Sequence, residues 1–127
     1  MLSGCSSASE FPDALDHAVA TSDGALSLEG LLDAGVDHYL VVCPYESASS
    51  VRERIGFEWD EAPDLSGTDS VQVVVQLNKG RVAEPRRLAR TPVDFCRGSE
   101  AWQVLPIAAI LPVSAGDDGS WSIAPAQ

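Results

Sequence analysis

The residues best able to do chemistry in this chain are three cysteines, Cys5, Cys43 and Cys96, and two histidines, His17 and His38. Each histidine follows an aspartate, Asp16 and Asp37. Adjacent residues of a strand point to opposite faces, so the pairing alone does not build a proton relay. A triad would also need an activated nucleophile, and no Gly-x-Ser-x-Gly elbow is present. The chain has no Cys-x-x-Cys pair, His-Glu-x-x-His helix, EF-hand loop or glycine-rich phosphate loop. Trp59-Asp60-Glu61 with Asp64 brings carboxylates together, but that composition also suits a solvated acidic loop. No catalytic residue, metal site or cofactor is therefore assigned, and a non-enzymatic role is expected.

Charge narrows the partners. The net charge is -11, and all the acids of the first 51 residues stand without a Lys or Arg among them. Six of the eight basic residues gather instead between Lys79 and Arg97. An acidic total argues against nucleic-acid binding, which needs a dominant positive field. Arg86, Arg87 and Arg90, beside the edge-marking Pro85, are the candidate contacts for a protein or anionic surface partner. The alternative is that this cluster faces the acidic half of its own chain.

Leu2-Ser3-Gly4-Cys5 resembles the lipobox of bacterial lipoproteins, and Ser6-Ser7-Ala8-Ser9 resembles the small polar tether that follows it. The resemblance implies that Cys5 carries a lipid and that the chain is extracytoplasmic, anchored to the cell membrane. Several acyl chains would anchor it firmly where one would be marginal. A secretory signal carries charged and apolar segments ahead of its cleavage site. Only Met1 precedes the box here, so the start is read as a trimmed signal, and a chain made from Met1 is expected to lack the lipid. No run approaches the roughly 18 apolar residues that a spanning helix requires. With Cys5 lipidated, two cysteines remain, and an oxidising compartment permits a Cys43–Cys96 disulfide. Closing that loop is expected to stabilise the fold by about 4 kcal/mol.

A second resemblance is shorter. A strand, then Cys43-Pro44-Tyr45, then a helix is similar to the active-site turn of glutaredoxins, which implies thiol-redox use of Cys43. A helix N-terminus can lower a thiol pKa. Here Glu46 takes the place of the second cysteine, and a carboxylate disfavours a thiolate. A cytosolic interaction protein with an accidental Leu-Ser-Gly-Cys is the third reading.

At 127 residues, with 45% hydrophobic and 21% charged side chains, the chain can bury a single core. Residues 1–25 are expected to be a lipobox remnant and a flexible or weakly ordered acidic segment, with at most a turn from Pro12 through His17. Residues 26–127 form the domain. Ser27 to Gly35 predicts a helix through Leu28, Leu31 and Leu32. The β-branched run Tyr39 to Cys43 predicts a central strand ended by Pro44. Glu46 to Ile55 predicts a helix with Ala48, Val51 and Ile55 on one face, and residues 56–68 a loop. Ser70 to Leu77 predicts a strand with Gln72 and Gln76 opposite the valines, followed by a hairpin turn at Asn78-Lys79-Gly80. Arg81 to Arg90 runs back past Pro85, Val104 to Val113 suits an edge strand, and Trp121 to Ile123 pairs after the Asp117-Asp118-Gly119 turn. The sum is an α+β fold: a mostly antiparallel sheet, one or two helices on one face, and a single disulfide.

Overall fold

A computed structural model describes residues 7–98 and 101–126 of the chain. Its elements run α1 (Ser7–Thr21), β1 (Ala25–Leu26), β2 (His38–Val42), α2 (Ala48–Ile55), β3 (Val71–Asn78), β4 (Arg81–Val82), β5 (Arg86–Ala89), β6 (Val93–Asp94), β7 (Leu105–Pro106), β8 (Leu111–Ala115) and β9 (Trp121–Ile123). The fold is α+β and mostly antiparallel, with one disulfide. The strands divide between two sheets rather than one. The larger has the order β4-β3-β2-β7, with β5 also paired to β3. The smaller has the order β1-β8-β9-β6, and its β6–β9 pair is parallel.

The long valine-rich segments make the centre. Tyr39, Leu40, Val41 and Val42 are all fully buried, as a strand covered on both faces requires. β2 pairs with β3 from His38↔Leu77 to Val42↔Val73. Lys79 and Gly80, both at positive φ (53° and 80°), close the β3–β4 hairpin. A two-residue turn with this hand matches the twist of the flanking strands. Pro85 falls in the gap between β4 and β5, where the strand is interrupted. The segment expected to be one edge strand, 104–113, instead feeds two. Leu105–Pro106 borders β2, and Leu111–Ala115 belongs to the smaller sheet.

Two expectations are corrected. The acidic N-terminal segment is not loose over its described part. It forms α1, and Phe11, Leu15 and Val19, spaced four apart, are buried in the core. The helix begins before Pro12 and runs past His17, because this apolar stripe has β5 and β6 to cover it. Conversely, Ser27 to Gly35 makes turns, not a helix. Gly30 and Gly35 adopt φ of 86° and 87°, which right-handed helix excludes. Leu28 still enters the core. α2 keeps its expected face, with Val51 and Ile55 buried. Ser47 caps it, its Oγ accepting from the Ser50 N–H at 3.2 Å.

Candidate functional site

Cys43 and Cys96 are joined, with Cα atoms 5.6 Å apart. Cys43 follows the last residue of β2 and Cys96 lies just past β6, so the bond ties one sheet to the other. Both residues are half-buried against the core. The Cys96 N–H donates to Asp94 Oδ1 at 2.8 Å, and Asp94 is held by Arg90. Beside the bond, Gln72 is fully buried. Its Nε2 donates to the Val93 and Ala89 carbonyls at 2.8 and 3.0 Å, and its Oε1 accepts from the Phe95 N–H at 2.9 Å. Alternation along β3 had placed this side chain opposite the core valines. Ala89 of β5, Val93 of the second sheet and Phe95 just past it supply backbone partners for the amide.

The Cys43-Pro44-Tyr45 turn does not put a sulfur on a helix end. The cap of α2 is Ser47, and its first helical residue is Ala48. The Glu46 carboxylate binds Arg54 at 2.5 Å. Arg54 also donates to the Val41 carbonyl at 3.2 Å and to the Trp102 carbonyl, so this charge pair fastens α2 to β2. Tyr45 is 67% exposed at φ 72°, a left-handed conformation uncommon for a large side chain. Its backbone N–H donates to the Leu65 carbonyl at 2.7 Å, which holds the turn against the following loop. No feature of the sequence marked Tyr45 as exposed.

The three candidate arginines separate. Arg86, expected as a partner contact, is 8% exposed and pairs with Asp33, so its guanidinium is engaged within the chain. The same aspartate accepts from Gln76 Nε2 at 3.0 Å, while the Asp33 N–H donates to Gln76 Oε1 at 2.8 Å. The loop from Leu28 to Asp33 is thereby fixed to β3. Arg90 binds Asp94 at 2.9 Å and the Asp69 carbonyl at 3.1 Å. Arg87 is exposed and, among the described residues, has no ion pair. Basic residues of the cluster thus meet the acids of their own chain at Asp33 and Asp94, which the spacing could not specify.

His38 Nδ1 lies 3.0 Å from Asp37 Oδ1, and both side chains are about half exposed. The Asp37 carboxyl is held below its ordinary range by this hydrogen bond and by the Lys79 N–H. His17 is exposed on α1. Asp64 accepts from the N–H and hydroxyl of Ser66, which lowers its pKa within its own turn. Among the described residues no group of three His, Cys, Asp or Glu side chains can hold a metal ion. Among the described residues the buried Tyr39 hydroxyl has no hydrogen-bond partner, and burial pushes its pKa up. Cys5 lies outside the described residues. Among those described, no helix is long and apolar enough to cross a membrane. No family model, curated protein or solved structure matches the chain.

Proposed function

We propose that this chain is a non-enzymatic binding or envelope-associated module, anchored outside the cytoplasm by a lipid on Cys5. The observation that carries the reading is the Cys43–Cys96 bond. Structural disulfides form and persist in oxidising compartments and are rare in reducing ones. Leu2-Ser3-Gly4-Cys5 supplies the anchoring signal. The binding role is supported by what the polar side chains are engaged in. Glu46, Arg54, Asp33, Arg86, Gln72 and Gln76 are committed to holding elements together. That leaves recognition to exposed groups such as Arg87 and Tyr45.

The test is metabolic labelling with palmitate in bacterial cells expressing the chain behind a lipoprotein signal peptide joined ahead of Leu2. Label and membrane association should both disappear with Cys5→Ser. Unlabelled chain with free thiols in the cytosolic fraction would overturn the reading. Alkylation separates the thiol-redox alternative. Cys43 protected until reduction supports a structural bond, and rapid labelling of native protein at neutral pH supports redox use.

A further inference from the structure

Resting on the binding role above and making it specific, we propose that the groove between α1 and β5 receives an extended segment of another protein. That segment carries a large apolar side chain close to a carboxylate. The groove has a volume of about 230 Å³. Pro12, Leu15, Leu88 and Val93 line it with apolar surface, and Asp16 and Arg87 bring opposite charges to it. Small-molecule pockets begin at roughly 300 Å³. A space below that size suits one side chain of a peptide better than a whole ligand.

The neighbouring strand offers the main-chain half of such a contact. β5 pairs with β3 from Val71↔Ala89 to Val74↔Arg86, and among the described residues no strand pairs with its other edge. An extended peptide laid along an open edge gains backbone hydrogen bonds, with side-chain pockets setting the choice of sequence. Arg87 sets the charge. Arg86 and Arg90 on either side are committed to Asp33 and Asp94, whereas Arg87 is exposed with no acidic partner among the described residues. A guanidinium in that position matches a carboxylate with two parallel hydrogen bonds. The net charge of -11 repels a strongly acidic partner, so one acid among neutral residues is the preferred pattern.

A phage-displayed random heptapeptide library, panned on the folded, oxidised chain, tests this. Enriched peptides should carry Asp or Glu within two positions of Leu, Ile or Phe. Synthetic copies should shift the methyl signals of Leu15, Leu88 and Val93. Arg87→Glu should weaken them about tenfold, the loss expected for one charge-assisted contact, while Arg87→Lys retains part of the affinity. An unchanged circular dichroism spectrum shows that the variant is folded. Peptides that bind with no sensitivity to Arg87→Glu, or that shift other methyls, overturn the groove and leave the binding role standing. A chain that enriches no peptide overturns the groove, and the broader role then stands or falls on the labelling of Cys5. Self-association abolished by Arg87→Glu would place a second copy in the groove and overturn the proposal of a foreign segment.

Discussion

The side-chain oxygen of Gln72 accepts the backbone N–H of Phe95 at 2.9 Å, inside a region from which water is excluded. This bond and the Gln72 contacts to Ala89 and Val93 connect β3 to the segment that carries Cys96. Gln72→Leu removes one amide and orphans three backbone groups. The expected cost is about 2–4 kcal/mol in urea denaturation. Gln72→Glu should cost more at neutral pH, since a carboxylate cannot donate to the two carbonyls and its charge is buried. A loss below about 0.5 kcal/mol for both variants would show that the amide does not join the sheets.

Leu15 is 1% exposed on α1. Leu15→Ala is expected to destabilise the whole domain by about 2–5 kcal/mol, the range for truncating a buried leucine. Urea midpoints measure it. A stability equal to the parent's would mean that α1 does not share the core.

Arg86 and Arg87 are adjacent and should behave oppositely. Arg86→Met leaves the Asp33 carboxylate without its cation in a partly buried network, and a loss of about 2–3 kcal/mol is expected. Arg87→Met should stay within about 0.5 kcal/mol, as exposed substitutions do. Equal effects would contradict the division of roles within the basic cluster.

Tyr39 governs the alkaline limit. Its folded-state pKa is raised above the ordinary 10.0 by burial. Stability from this group is present below that value and is lost as pH rises from it, because the unfolded chain ionises first. Tyr39→Phe should flatten that alkaline fall. At neutral pH it should be neutral or stabilising, since it removes an unpartnered buried hydroxyl. On the acid side the depressed carboxyls of Asp37, Asp64 and Asp118 act with the other sign. Their contribution is present above the ordinary 3.8 and is lost as pH falls below it. Asp16, raised first by burial and then by Asp13, opposes them. Thermal melts of the parent and Tyr39→Phe between pH 3 and 11 read both limits.

What could be read from the sequence was local. Tyr39-Leu40-Val41-Val42 identifies a central strand because four consecutive apolar residues need cover on both faces. The turn at Lys79-Gly80 follows from a short pattern, and the pairing of Cys43 with Cys96 from the two cysteines left once Cys5 is set aside. The failures share a cause in tertiary cover. Gln72 and Gln76 were polar residues in an alternating strand, and only partners remote in sequence make their burial tolerable. Phe11, Leu15 and Val19 carried a helical spacing, but the acids and Pro12 around them masked it. Leu28, Leu31 and Leu32 carried the same signal falsely, because Gly30 turns the chain between Leu28 and Leu31 and Gly35 turns it again past Leu32. For the candidate contacts, Arg86, Arg87 and Arg90 were equivalent by composition, and their separation depends on where Asp33 and Asp94 come to lie.

The most direct test of the account is the state of Cys43 and Cys96 in the chain as cells make it. Free thiols are alkylated during lysis, without reductant, and the protein is digested and weighed by mass spectrometry. The account predicts a Cys43–Cys96 cross-linked peptide, together with an N-terminal peptide that bears diacylglycerol on Cys5. Alkylated Cys43 and Cys96 in an unlipidated chain would contradict it.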